Sequence, residues 1–532
     1  MKKSNNSWKA IMPIFLALML VVGMFIGQRL KFDKDDQQFF IYPQTNKLNV
    51  LLNYIEEEYV DSVSKEDLIE DAIPLILEDL DPHSVYIPAK ELKATNENLH
   101  GAFDGIGVQF NIQNDTVVVI HTIIGGPSEK VGIMAGDRIV SVDDSLIAGI
   151  SISNDNVMSL LKGERGSKVV VSILRNGEQD PVDFEIIRDK IPLYSVDVAY
   201  MIDDSIGYIK ISRFSANTYK EFRQAAGQLL DQNMQKLIID VRGNNGGYLE
   251  VCIKIVDEFL EANKMIVYTE GKSRPKTESL STSDGICKQI ETVVLIDAFS
   301  ASASEILAGA FQDNDRGTII GRRSFGKGLV QEQTQFPDNS ALRLTIARYY
   351  TPTGRSIQKP YTNGHTEYFE DLHIRMANGE FSEEDSIQFP DSLKFITPAG
   401  KVVYGGGGIM PDIFVPIDTT GVSDYYAKVR NRGLIYQFAF RYTDKNRQLF
   451  TSFAGHKELV NHLKGEKLLE GLILFAEQKG IEKNMEDIQY SKDLLNTMIY
   501  AQIARNIFND EGFYPVIKDI DATLLKGIEV LR

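Results

Sequence analysis

The spacing of apolar residues changes several times along the chain, and those changes divide it into regions. Residues 10–27, AIMPIFLALMLVVGMFIG, form an uncharged run of eighteen residues. As a helix this run would span about 27 Å, close to the hydrocarbon thickness of a bilayer. It exceeds the apolar core of a cleaved signal peptide, and no small-x-small site follows it. Residues 1–30 are therefore expected to be a short cytoplasmic stub and a single-pass anchor. Over 40–96 the period is helical, as in NKLNVLLNYIEEEYV and SKEDLIEDAIPLILEDL, with Ser64 and Asp67 placed to cap the second helix. From 97 to 190 short alternating runs predict a compact β module: GIGVQFNI, TVVVIHTI, GDRIVSVD, KVVVSILRNG and VDFEIIRD. One helix interrupts them, SNDNVMSLLKG, with Ser153 or Asn154 as its cap.

Between 191 and 360 strands and helices alternate. SIGYIKIS, KLIIDVR, TVVLID and GTIIG read as strands, and NTYKEFRQAAGQLLDQN, YLEVCIKIVDEFLEAN and ASEILAGAFQDN as helices. Such alternation predicts an α/β domain with parallel crossovers and ligands at the loops after the strands. In 361–532 the glycine-rich YGGGGIMPD is expected to turn a tight hairpin before a mainly helical, amphipathic region.

Charge and composition narrow the function. The chain has 532 residues, 43% of them apolar, and a net charge of −17 with no Lys/Arg cluster, which argues against a nucleic-acid partner. The two cysteines, Cys252 and Cys287, have no metal-ligand spacing, and neither the scattered histidines nor any H-E-x-x-H supports a metal or cofactor. Cys252 lies in an apolar helical pattern and reads as a small core residue, while Cys287 lies in polar sequence; whether they pair is open.

The stretch GRRSFGKGLVQ, residues 321–331, matches G-x-x-x-x-G-K of a phosphate-binding loop but has Gly328 where the magnesium-binding hydroxyl belongs, and a strand pattern follows instead of a helix. Lys327 therefore needs another use. Buried among small and apolar neighbours, a lysine loses its proton more readily and can act as a base toward a serine. Gln331, four residues on, can orient the amine without adding charge. SASASE offers Ser300, Ser302 and Ser304 at a strand-to-helix turn, where amide N–H groups can hold an oxyanion. Spacing does not choose among the three, and Ser302 with Glu305 also spells a capping box. RGNNGG, after another strand, can aim a second amide into the same cleft. His83, in LDPHS, is expected to be structural, because nothing adjacent in sequence could orient or use it. A histidine base from elsewhere in the chain stays open.

Together LDPHS, GIGVQF, GIMAGDRIVSVD, DVRGNNGG, FSASASEILAGAFQD and GRRSFGKGLVQ resemble, in order, the carboxy-terminal processing peptidases, or tail-specific proteases, which are serine peptidases carrying a PDZ domain. The resemblance spans about residues 50–360 and implies a crotonase-like α/β core. It implies Ser302 as nucleophile, Lys327 as base, Gln331 as the lysine's orienting partner, and oxyanion donors at Ala303 and Gly247, with Gly246 as the alternative. It makes 97–190 a PDZ domain whose Gly105, Ile106, Gly107 and Val108 grip a terminal carboxylate. The peptide would add a strand at 108–110, and the Val157–Leu161 helix face would receive its last side chain. Ser128 stands where the family usually has alanine. The expectation is an endopeptidase of the cytoplasmic membrane, its catalytic part extracytoplasmic, taking proteins with apolar C-termini and needing no cofactor. Nothing in the sequence excludes a homo-oligomer. The alternative, a non-catalytic PDZ binding protein on a membrane stalk, leaves the Ser302, Lys327 and Gln331 set unexplained.

Overall fold

A computed structural model describes residues 46–532 except 176–177, 363 and 388–389, together with residues 12, 17–19 and 21–22. Most of the expected anchor, 10–27, lies outside the described residues. Among the described residues no helix is long and apolar enough to cross a membrane. The chain divides into two compact units, residues 1–72 and 73–532. In the first, helix Lys47–Glu58 is capped by the Asn46 side chain, and Ser64 Oγ accepts the Asp67 N–H (3.3 Å) at the start of the next helix, as the sequence predicts.

The second unit is built around a six-stranded sheet with the order Val196–Met201, Ile206–Ile211, Lys236–Asp240, Glu291–Ile296, Thr318–Gly321, Ile413–Phe414. Its first pair is antiparallel and the rest are parallel. Both faces are covered, which explains the near-continuous apolar runs of its strands. Ile209, Leu237, Ile239, Val294 and Ile296 pack against helices Thr218–Asp231, Leu249–Asp257 and Ala303–Asp313. Their neighbours Tyr208, Ile238, Val293 and Leu295 meet Leu524, Ile528 and Leu531 of the last helix, Ala522–Leu531. Arg242 clamps that helix by a two-pronged bond to Asp521 (2.8 and 2.7 Å).

The sheet thus takes in a strand and a helix from beyond residue 360. The glycine-rich 404–408 run does not turn a hairpin, contrary to expectation. The hairpin there is Lys394–Ile396 with Val402–Tyr404, and the glycines that follow carry the chain to the edge strand Ile413–Phe414. The sequence cue was ambiguous because glycine marks a close passage of backbones as readily as a turn. Here Gly408 passes so close to Ser324 that a methyl on it would lie 2.8 Å from the Ser324 carbonyl oxygen.

A second, antiparallel sheet accompanies the parallel one. In it Ala341–Tyr350 pairs with Val85–Ile87, Leu329–Gln335 and Met265–Gly271. The β module is inserted before the core, since its entry strand Ala102–Gly105 and exit strand Asp189–Pro192 pair with each other. Its sheet runs Val108–Gln113, Thr116–Thr122, Arg138–Val142, Lys168–Leu174, Val182–Ile187, with helix Asn154–Leu161 capped by Ser153. The single strand expected over 105–112 is broken at Ile106–Gly107, where Gly107 takes a φ of 76°. Helices from Asp424 onward pack around Val429, Leu472, Leu495 and Ile499. Cys252 and Cys287 are both buried and free, so they do not pair.

Candidate active site

The three serines of SASASE have different surroundings. Ser300 and Ser304 are fully buried, and their hydroxyls donate to main-chain carbonyls, Ser300 to Val241 (2.9 Å) and Ser304 to Asn244 (2.8 Å). Ser302 alone is half-buried. It opens helix Ala303–Asp313 with φ 55° and ψ −113°, a backbone conformation costing on the order of 1–3 kcal/mol for a residue with a side chain. The residue stands at the positive end of that helix.

Glu305 is what fixes this turn. Its fully buried carboxylate accepts the Ser302 N–H (2.8 Å) and the Lys327 N–H (2.9 Å) on one oxygen. The other oxygen accepts the Ser324 hydroxyl (2.5 Å) and the Gly326 N–H (2.7 Å). Burial pushes the carboxyl up to about 7 against these four donors. The capping-box spelling and the catalytic reading of Ser302 therefore coexist. The phosphate-loop resemblance of 321–328 also finds its explanation: the loop amides do cradle an anion, and that anion is the protein's own Glu305. Tyr349 adds a second tie, its hydroxyl lying 3.1 Å from the Ser302 carbonyl oxygen and 2.6 Å from that of Lys327.

Opposite the turn lies NGG. The Asn244 side chain accepts the Gly246 N–H (2.8 Å) and donates to Ile211 (3.0 Å), so the Gly246 amide is already used. Gly246, with φ 101°, presses on the elbow: a methyl there would sit 2.8 Å from Ser302 Cβ and 3.1 Å from Ala303 N. Gly247 is bridged to Phe214, whose N–H donates to the Gly246 carbonyl (2.9 Å) and whose carbonyl accepts the Tyr248 N–H (2.8 Å). Among the described residues, neither the Gly247 nor the Ala303 amide donates to a protein group. Of the two glycine alternatives, only Gly247 has a free N–H.

Lys327 is half-buried, and burial, reinforced by Arg343, lowers its amine to about 8 despite Asp81 and Glu305. The amine donates to Gln331 Oε1 (3.0 Å); no hydrogen bond joins it to the Ser302 hydroxyl. Gln331 Nε2 in turn donates to the His83 carbonyl. His83 therefore lies beside the lysine, 244 residues away in sequence, and the groups that orient it come from distant parts of the chain. Its ring is oriented by the Tyr368 hydroxyl (Nε2 to Oη, 2.8 Å) and edged by Phe325 and Phe369. Burial and the Lys327 charge drop it to about 3, leaving a neutral imidazole at physiological pH. Glu305, Tyr349, His83 and Tyr368 were missed as parts of the site. Only S-x-x-E and LDPHS carried any local signal of them.

In the β module, Gly105 to Val108 form a turn whose Ile106 carbonyl accepts both the Ser128 N–H (3.0 Å) and the Ser128 hydroxyl (2.7 Å). The Ser128 departure thus has a local use. Strand Val108–Gln113 lies at one end of its sheet, with an edge free to take another strand. Val157 and Leu161, expected to line a pocket, are 0% and 4% exposed and instead fill the module core with Ile106 and Val171.

The chemistry this allows is acyl transfer: a half-buried hydroxyl at a helix start, a lysine with a lowered amine whose main-chain N–H shares the Glu305 carboxylate with that of the serine, and the amides of Ala303 and Gly247 nearby. Comparisons with known proteins agree. A model of peptidase family S41 matches residues 205–367, a PDZ domain model 105–186, and a family of unknown function 425–509. The chain is 34% identical over 322 residues to a carboxy-terminal-processing protease of Bartonella bacilliformis, covering 60% of this chain and 73% of that one. It is 33% identical over 317 residues to carboxy-terminal processing protease CtpB of Bacillus subtilis, covering 59% and 65%. Among solved structures it is similar to a photosystem II D1 C-terminal processing protease, at 25% identity, a TM-score of 0.37, and coverage of 71% and 88%. The chain belongs to the carboxy-terminal processing protease family and is a serine-type peptidase carrying a PDZ domain.

Proposed function

We propose that the protein is a membrane-anchored, extracytoplasmic endopeptidase that takes proteins by an apolar C-terminal tail. Ser302 attacks the peptide carbonyl while neutral Lys327 accepts its proton, and Gln331 keeps the amine in place. The developing oxyanion is held by the Ala303 and Gly247 N–H groups. Lys327 then protonates the leaving amine, and water hydrolyses the acyl-enzyme. Proton transfer requires the amine or the hydroxyl to rotate from its present position, a tightening common when substrate arrives. The tail carboxylate is taken by the turn Gly105, Ile106, Gly107, Val108, with the peptide adding to the Val108 edge.

The observation that carries this reading is the shared Glu305 oxygen, which accepts the amides of both Ser302 and Lys327 and so brings a depressed lysine to a strained serine. The test compares wild type, Ser302→Ala and Lys327→Ala on a peptide with an apolar free C-terminus and on its amidated twin. Both substitutions should abolish cleavage, and amidation should raise KM. Undiminished turnover in either variant would refute the assignment. Membrane fractionation of the full chain against one lacking residues 1–30 tests the anchor.

A further inference from the structure

We propose that Asp81 is a positioning residue for Lys327, acting through the main chain of His83 and the side chain of Gln331. The proposal rests on Lys327 being the base. A glutamine amide can turn either its oxygen or its nitrogen toward a neighbour, and only the oxygen can accept from an amine. Here Gln331 Nε2 is bound by the His83 carbonyl, so Oε1 must face Lys327.

The His83 carbonyl is in turn placed by Asp81. The Asp81 carboxylate accepts the N–H groups of His83 (2.9 Å) and Ser84 (3.0 Å) and the Ser84 hydroxyl (2.6 Å). The turn is then fastened across to the neighbouring strand: the Thr345 hydroxyl donates to Asp81 Oδ1 (3.1 Å) and the Thr345 N–H to Ser84 Oγ (3.1 Å). Thr345 is the ladder partner of Gln331 itself. The circuit therefore closes on the residue it orients, with a buried carboxylate at its far corner.

Asp81 also acts through space. Its negative charge favours the protonated amine, as does Glu305, while Arg343 and burial oppose it and His83 stays neutral. Removing the charge should leave the lysine easier to deprotonate but less well held. A merely structural role would lower stability or turnover without moving the pH profile.

The experiment measures kcat and KM against pH on an apolar-tailed peptide for full-length wild type, Asp81→Asn, Gln331→Ala and the double variant, with Lys327→Ala as control. Asp81→Asn should lower kcat about ten- to hundredfold at nearly constant KM, the effect of misplacing a reacting group. Its acid limb should move to lower pH, and the double variant should be no worse than Gln331→Ala alone. A folded Asp81→Asn with an unmoved acid limb, or losses that multiply in the double variant, would overturn the proposal. If Asp81→Asn fails to fold, Ser84→Ala keeps the charge and loosens the turn. A fall in kcat with an unmoved acid limb, absent once Gln331 is alanine, supports the circuit; wild-type kcat refutes it. Full activity in Lys327→Ala would instead remove the base assignment, and this proposal with it.

Discussion

The proposed catalytic centre and the contact between the PDZ module and the C-terminal helices are built on opposite plans. At the proposed site the buried side chains of Glu305, Tyr349 and Asp81 all have partners, and the ties run through main-chain atoms: Glu305 takes four donors, Tyr349 reaches two carbonyls, and Asp81 holds its turn. At the contact, Val118 and Ile120 of the module meet Phe440 and Tyr436 in a small apolar cluster, Tyr436 hydrogen-bonds the Asn111 side chain, and among the described residues one ion pair, Arg138 to Asp444 (3.2 Å), lies beside them. A cavity of about 390 Å³ opens there, lined by His121, Asp137, Arg447 and Asn506 among others, and His121 Nε2 and Arg447 Nε and Nη2 are buried without hydrogen-bond partners. Fully satisfied polar networks resist opening, whereas orphaned polar groups favour it. On that contrast the proposed site should keep its geometry while the PDZ module, fastened by fewer ties, opens first.

The largest effect should come from breaking the lock. Glu305→Gln keeps the shape but turns an NH₂ toward two donors. We expect kcat/KM to fall about 10²–10³-fold through loss of placement. Stability should fall by about 3 kcal/mol, as when a buried charge network loses a member. Steady-state kinetics and thermal unfolding measure both, and a fully active variant would mean the two chain segments are held by something else.

Next comes Lys327→Met, which should abolish activity yet stabilise the fold by about 2 kcal/mol at neutral pH. The sign follows from the amine's shift from 10.5 to about 8. Below pH 8 the wild type carries a buried charge that the unfolded chain would hold in water, so the variant's advantage is complete there. It shrinks as pH rises from about 8 to 10.5, where both states lose the proton. Denaturant titrations at several pH values would show this; no gain at pH 7 would mean the lysine is not desolvated.

How legible was this in the sequence? Elements with strong periodicity were: the four parallel strands and three helices between 206 and 321 stand where the apolar spacing places them. Lys327 and Gln331 were readable because they are only four residues apart, at the loop that leads into strand Leu329–Gln335. What failed was everything closed over long range. The edge strand Ile413–Phe414 is too short for a pattern, and its place depends on Gly408 fitting against Ser324. His83 and Tyr368 join the site from either side of the core, and no local rule links positions so far apart. Val157 and Leu161 showed a correct helix face, but one apolar face can fill a core or line a pocket, and periodicity alone does not say which.

On the lightly fastened side, acid should act before any mutation does. Burial and the Arg447 charge lower His121 from 6.5 to about 4, against a hydrogen bond with the Arg505 main chain that favours the protonated ring. An opened contact would let it protonate at its ordinary value, so the closed form is fully favoured above about pH 6.5 and weakens as pH falls toward 4. Near pH 5 the loss is about 1–2 kcal/mol. Hydrogen-exchange protection factors, corrected for the intrinsic slowing of exchange in acid, should fall in strand Thr116–Thr122 at a higher pH than in helix Ala303–Asp313. His121→Gln should flatten that dependence.

The smallest effect sharpens the comparison most. Arg138 is about a third exposed (34%) in its pair with Asp444, and such pairs contribute roughly 0–1 kcal/mol and are screened by salt. Arg138→Ala should therefore change the exchange of strand Thr116–Thr122 by less than about 0.5 kcal/mol, and only at low ionic strength. A loss well above that, persisting in high salt, would mean the pair is a desolvated tie like those around Glu305. The module would then be locked as firmly as the site, and tail binding would have to reach Ser302 without moving it.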